Sequence, residues 1–178
     1  MRKRWRNRQI PTEGERARAL AYITIALFGA GFAFLTVTRM YGARVLGAGL
    51  TWYDLWIVVS GGIGAAAALF LAGDRMGQPG FRGIYRALFG MIWVSFVGAL
   101  IAGTLALPFY GTMFGPFTLG VTLTSAPLLA MLWFANLLSV HALLTRWHIE
   151  RDSIFVKPVP PMPLRRSPQR LRMAGRVS

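Results

Sequence analysis

The sequence has 178 residues, of which 54% are hydrophobic and 15% charged, and its mean hydropathy is +0.47. The charged residues are concentrated in a few segments that separate long apolar stretches. This composition excludes an ordinary soluble domain and indicates an integral membrane protein. Because the chain has no cysteine, disulfides, iron-sulfur clusters and thiolate metal sites are excluded as well.

The first uncharged stretch, residues 19–38, is long enough to cross the hydrocarbon core as a helix, which takes roughly 20 residues. The sequence before it, Thr12-Glu13-Gly14-Glu15, has the spacing of a capping box, so we expect the helix to begin there. The apolar core of a secretory signal peptide is shorter, about 7 to 15 residues. We therefore interpret this stretch as an uncleaved first span.

Three further spans are predicted. The second covers residues 55–72 and begins next to Trp52, Tyr53 and Trp56, as expected of a helix that enters the bilayer through its interface. The uncharged run at 87–145 is too long for one crossing and predicts two, at 87–107 and 128–145. Glycine and proline residues between them predict a broken connection at 108–120, and Pro127 fits the first turn of the last span.

The predicted fold class is therefore all-α, a four-helix transmembrane bundle at 19–145 between a basic N-terminal segment, 1–18, and a basic, proline-rich tail, 146–178. Basic residues set its orientation. Seven precede the first span, three lie between the second and third, and eight follow the fourth, whereas only Arg39 and Arg44 fall on the other side. The positive-inside rule places both termini in the cytoplasm.

All but two of the 20 basic residues are arginine, which favours a GC-rich bacterial genome and hence the bacterial inner membrane as the location. Basic side chains near a membrane attract anionic headgroups at about 1 kcal/mol each. The tail has this composition, and an acidic protein or RNA are alternative partners for it, although solvated charge that enforces the topology is the simpler interpretation. We expect no nucleic-acid partner, because no RNA-binding fold accompanies the charge.

No aspartate, glutamate, lysine or arginine falls inside the four predicted spans, which argues against a proton-coupled pump. Asp54 is the nearest acidic candidate. It is interpreted either as a cation or substrate contact at the mouth of the second span, or as a helix-start acid favoured by the N-terminal dipole and paired with Arg39 or Arg44.

The two histidines, His141 and His148, are seven residues apart, which separates them by about 10 Å along a helix. One helix cannot supply both axial ligands of a haem in this way, so we expect neither a cofactor nor a metal. His141 is expected to form an interhelical hydrogen bond, and His148 is expected to lie among the headgroups.

Small residues recur every four positions on the second span, at Ser60, Gly64, Ala68 and Ala72. Such stripes allow close helix packing, within one chain or between chains. Asn136 on the fourth span is expected to form an interhelical hydrogen bond, worth about 0.6 to 2 kcal/mol. These residues form no catalytic constellation, so we do not expect an enzyme.

The connection between the third and fourth spans is aromatic and uncharged, with Phe109, Tyr110, Phe114 and Phe117. Three interpretations are open: an aromatic belt in the membrane interface, a surface that docks another protein, or a re-entrant loop.

Together these features predict a non-catalytic accessory, assembly or scaffold subunit of a larger inner-membrane complex, in which other membrane subunits or copies of this chain are partners. An energy-converting complex is one candidate host. The alternative is a small oligomeric transporter or channel, with Asp54, Asn136 and His141 as its polar contacts. Helix number alone does not decide between them.

Overall fold

The computed structural model of the protein describes residues 11–42 and 49–155. These residues form five α-helices, and a short 3-10 turn at Gly73–Arg75 follows the second. The helices are α1 (Glu13–Tyr41), α2 (Trp52–Ala72), α3 (Phe81–Ala106), α4 (Gly111–Ser125) and α5 (Pro127–Phe155).

Four of these helices, α1, α2, α3 and α5, are long and apolar enough to cross a membrane. The prediction of an all-helical chain with four potential spans is therefore confirmed. Each helix extends beyond its uncharged stretch, since a helix can continue among headgroups and water. Residues 146–155, which the sequence assigns to the basic tail, are the last turns of α5, while residues 156–178 lie outside the described part.

Two capping boxes begin α1 and α2. At the start of α1, the Thr12 hydroxyl accepts from the Glu15 amide at 3.2 Å and the Glu15 carboxylate accepts from the Thr12 amide at 3.1 Å, as the sequence predicts. At the start of α2, the same reciprocal pair forms between Thr51 and Asp54. Aspartate replaces the usual glutamate or glutamine there, so the usual sequence pattern does not reveal this second box.

The connection after α3 differs from the prediction, because residues 111–125 form helix α4. Pro116 lies inside α4 and removes a single amide donor. Gly111 and Gly115 contact α3 instead of making turns: a Cβ on either would overlap the backbone of Gly103 or Ala99. Tertiary packing thus outweighs the local signals that break helices. With 15 residues, α4 is about 22 Å long and too short to cross the bilayer.

Close backbone contacts set the order of the helices. α1 packs against both α2 and α5, and α2 also packs against α3, whereas α3 and α5 barely touch. A Cβ on Gly29 of α1 would lie 2.6 Å from the Cβ of Ala65, and one on Gly64 of α2 would lie 2.6 Å from the carbonyl oxygen of Gly98. Such approaches are typical of small residues between transmembrane helices. The arrangement is open between α1 and α3.

At the terminal end of the molecule, where α1 begins and α5 ends, the two helices are joined by polar and aromatic contacts. The Gly14 amide of α1 donates to the Glu150 carboxylate of α5. The Trp147 ring lies between two guanidinium groups, with Arg18 at 4.7 Å and Arg151 at 4.8 Å from its centre. The pair of Arg18 and Trp147 joins the start of α1 to the end of α5, whereas Arg151 belongs to the same helix as Trp147.

Candidate binding cleft between the helices

An apolar cleft of about 510 Å³ occupies the open space between α1 and α3. Its floor is α2, and α4 closes a third side. Glycine and alanine form much of its lining, and larger apolar side chains complete it. The lining includes Gly29, Ala33, Val37, Gly61, Ala65, Val94, Gly98, Ala99, Ala102, Phe114 and Leu119. Among the described residues that line it, none is charged.

The base of the cleft is a polar and aromatic bridge from α5 to α3. The Trp133 indole Nε1–H donates to the Ser95 hydroxyl at 2.9 Å, and that hydroxyl donates to the Met91 carbonyl at 2.8 Å. The Trp133 ring also meets Phe32 of α1 edge to face, with 5.5 Å between ring centres. Because α3 and α5 otherwise barely touch, this side chain closes the lower end of the cleft.

The mouth of the cleft carries three tyrosines, Tyr41, Tyr53 and Tyr110, and we call this the tyrosine end of the molecule. The Tyr53 hydroxyl donates to the Ala106 carbonyl at 3.2 Å. The Trp56 Nε1–H donates to the Leu105 carbonyl at 2.9 Å. Both bonds satisfy carbonyls that the last turn of α3 leaves without helical partners, so they attach the start of α2 to the end of α3.

The cleft is open on one side to the surroundings of the molecule. Because its lining is apolar and carries no charge, the hydrocarbon of a bilayer is the medium that matches it.

Asp54 lies in the first turn of α2, and its carboxylate accepts hydrogen bonds at the N-terminus of that helix. It accepts from the Thr51 hydroxyl at 2.6 Å and from the Thr51 amide at 2.9 Å. Arg39, one of the two basic partners considered for it, instead donates to the Ser125 hydroxyl at 3.0 Å. Arg44, the other, lies outside the described residues. In the structure Asp54 caps a helix.

His141 holds the turn between α2 and α3. Its Nδ1 accepts from the Gly77 amide at 2.9 Å, so the partner is a turn and not another helix. Because a backbone amide can only donate, Nδ1 carries the lone pair and the neutral ring has its proton on Nε2. The side chain therefore fixes the position of the turn relative to α5.

His148 is buried, with 5% of its surface exposed. Its ring lies beside Trp147 at 4.7 Å between centres. It also faces Gly77, where a Cβ would come within 2.7 Å of the His148 Cδ2. The histidine therefore packs under the turn, and its expected level among the headgroups stays a prediction.

The stripe of small residues on α2 is buried, and Gly64 at its centre packs against Gly98 and Ala102 of α3. Its other members, Ser60, Ala68 and Ala72, are buried as well. Asn136 is 6% exposed, yet its Nδ2 has no hydrogen-bond partner among the described residues, and the Ser60 hydroxyl is in the same situation. The interhelical hydrogen bond expected of Asn136 is thus not formed within this part of the chain.

The aromatic residues expected in the third connection lie on one face of α4 and at the turn before it. We call Phe109, Tyr110, Met113, Phe114 and Phe117 the aromatic corner; their exposed fractions range from 59% to 92%. The spacing along α4 places Met113 and Phe117 opposite Gly111 and Gly115, which contact α3. Tyr110 and Phe114 also line the cleft.

Asp54, Asn136 and His141 do not converge in one chain. Asp54 caps the first turn of α2, and Gly77, the partner of His141, follows the end of the same 21-residue helix, so the two polar groups are about 30 Å apart. Among the side chains that the structure describes, no three of histidine, aspartate or glutamate are grouped closely enough to hold a metal ion.

The cleft was not predicted from the sequence. Its residues come from all five helices and form no sequence motif. The glycine- and alanine-rich stretches indicate close helix packing but do not indicate a cleft. Comparisons with protein-family models, with curated proteins and with solved structures each find no match to this chain.

Proposed function

We propose that this protein is a non-catalytic subunit of a larger membrane complex, which it joins through the aromatic corner. The observation that supports this most directly is that α4 exposes large apolar side chains although it is too short to be a span. Met113 is 82% exposed and Phe117 is 67% exposed. A contiguous apolar surface on an element that does not cross the bilayer is typical of protein interfaces.

The proposed interface has no charged residue, because the sequence from Pro108 to Ser125 contains no lysine, arginine, aspartate or glutamate. Interface cores are depleted in charge and enriched in aromatic residues and methionine. A partner with an apolar, membrane-embedded surface of similar depth fits this composition. An energy-converting complex is one candidate host.

The alternative of an oligomeric transporter or channel has less support. Asp54 caps the start of α2, and His141 of α5 accepts from the turn that follows the other end of α2. Asn136 is buried among the helices. A transport path would have to be formed by several chains together.

We also propose that the protein resides in a bacterial inner membrane with both termini in the cytoplasm. Four crossings return the chain to the side on which it began, and eighteen of its 20 basic residues fall on that side. This is the distribution that the positive-inside rule expects.

The orientation can be tested directly because the chain has no cysteine. Single variants Leu50→Cys, before α2, and Ser153→Cys, near the end of α5, place one thiol at each end. A membrane-impermeant maleimide added to intact spheroplasts should label Leu50→Cys at once and Ser153→Cys only after lysis. The opposite pattern would reject the proposed orientation.

The subunit hypothesis is tested by gentle detergent extraction of the tagged protein from its native host, followed by mass determination of what co-purifies. We expect stoichiometric recovery with unrelated membrane subunits. The variant Met113→Ala/Phe117→Ala should lose them. The control Phe89→Ala/Phe96→Ala removes two similarly exposed aromatics, 59% and 54%, from α3 and should keep them.

A homo-oligomer that gives ion or solute flux in liposomes would contradict the subunit hypothesis and support the transporter. Equal loss of partners from the α4 variant and the α3 control would show that the aromatic corner is not the specific interface.

A further inference from the structure

We propose that the cleft binds one hydrocarbon chain of a membrane amphiphile, whose polar head lies at the tyrosine end. This inference goes beyond the proposed function and is tested separately. The test of the interface changes Met113 and Phe117, which do not line the cleft, whereas Tyr110 and Phe114 of the aromatic corner belong to both surfaces.

The first step is the chemistry of the lining. Below the tyrosine end, the serine and threonine hydroxyls of the lining are bonded within the protein. Thr36 donates to the Phe32 carbonyl at 3.0 Å, and Thr118 donates to the Phe114 carbonyl at 2.9 Å. Ser95 donates to its own helix and accepts from Trp133. This part of the described lining thus offers an occupant little besides apolar contact, which disfavours sugars, nucleotides and ions as ligands.

The second step is size. The cleft measures about 510 Å³, which lies within the range of small-molecule pockets, about 300–1,000 Å³. A flexible hydrocarbon chain can follow an irregular cleft of this size.

The third step is polarity along the cleft. At the base, the polar groups of Trp133 and Ser95 bond to each other, so the surface around them is that of the Trp133 ring, Ala65 and Val94. The mouth carries Tyr41, 44% exposed, and Tyr110, 77% exposed. Tyrosine rings favour the level of the headgroups, where the ring is in an apolar layer and the hydroxyl is in water. An amphiphile with its chain at the base therefore has its head at the level of these hydroxyls.

Two membrane components share this chemistry, phospholipids with their acyl chains and isoprenoid lipids such as quinones. The test is solvent extraction of the purified, extensively detergent-washed protein and mass spectrometry of the released lipids, normalised to protein. We expect one retained amphiphile per chain. Identification as phospholipid or as isoprenoid lipid supports the proposal and names the source.

The decisive comparison uses two threonines of α1 that both donate to a carbonyl of their own helix. Thr36→Phe places a ring in the cleft, whereas Thr24, whose hydroxyl donates to the Leu20 carbonyl at 2.9 Å, does not line it. We expect Thr36→Phe to lower the retained lipid several-fold and Thr24→Phe to leave it at the wild-type level.

A second matched pair, on α4, provides the same test if the α1 variant does not fold. Thr118 lines the cleft, whereas Thr124 donates to the Gly120 carbonyl of its own helix at 2.9 Å and does not line it. Thr118→Phe should reduce retention and Thr124→Phe should not, with circular dichroism used to check that each variant is folded. Wild-type protein without a retained amphiphile, or equal retention in folded members of both pairs, would overturn the proposal.

Discussion

Trp133 of α5 donates its indole N–H to the hydroxyl of Ser95 on α3, across 2.9 Å, and this bond connects two helices that otherwise barely touch. Both residues are needed to close the base of the cleft. The packing of α5 against α3 should therefore depend on the hydrogen bond between Trp133 and Ser95.

This pair can be measured with a double-mutant cycle of Ser95→Ala and Trp133→Phe. We expect a coupling free energy of about 1 kcal/mol, as for other buried hydrogen bonds, because either change alone removes the bond. Reversible unfolding in mixed micelles provides the measurement. Ser139→Ala, which removes an exposed hydroxyl bonded to its own helix, is the control and should change little. Additive effects of the two mutations would show that the bond contributes nothing.

The turn between α2 and α3 depends on glycine at position 77. Gly77 has a φ of +88°, and a Cβ there would lie 2.7 Å from the Cβ of Leu144. Gly77→Ala should therefore lower the free energy of unfolding by about 2–4 kcal/mol, through backbone strain and overlap together.

Gly73 is a matched control, since its φ is +51° but a methyl group at that position would have no neighbouring atom within 4 Å. Gly73→Ala should show the strain alone, about 1–2 kcal/mol. If thermal unfolding in detergent gives equal losses for both variants, the packing of the turn on α5 is not important for stability.

The contact between α2 and α3 should also be sensitive to substitution at Gly64. A methyl group there would lie 2.6 Å from the Gly98 carbonyl oxygen and 2.8 Å from the Ala102 amide nitrogen, so Gly64→Ala forces two backbones apart. We expect a loss of about 1–3 kcal/mol.

Gly31→Ala on α1 is the contrasting change, because a methyl group there meets nothing within 4 Å. It should be neutral or stabilise the helix by up to about 1 kcal/mol. Unfolding curves of the two variants in the same detergent give the comparison, and equal effects would argue against close packing at Gly64.

At the terminal end, Glu150→Ala removes the carboxylate that accepts from the Gly14 amide. We expect faster hydrogen exchange at the start of α1 and a loss of about 1–2 kcal/mol, as for hydrogen bonds to charged groups. Asp152→Ala, which removes an exposed carboxylate paired only with its neighbour Arg151 among the described residues, should change neither quantity. Unaltered exchange at Gly14 in Glu150→Ala would contradict the link between the helices.

The sequence by itself determined the class of protein and the four long helices, because the length and hydropathy of a span follow from the thickness of the bilayer. It also determined the first capping box, whose hydrogen bonds join residues three positions apart. These are local properties, which do not depend on the contacts between helices.

Only the tertiary structure decided what residues 108–125 and His148 do. Glycines and a proline predict a broken segment, yet contact with α3 makes 111–125 a helix, and His148 is buried because the Gly77 turn covers it. The cleft likewise depends on which helices are neighbours. Spacing along the chain indicates which residues share a face, but the partner of that face is set by packing between segments far apart in sequence.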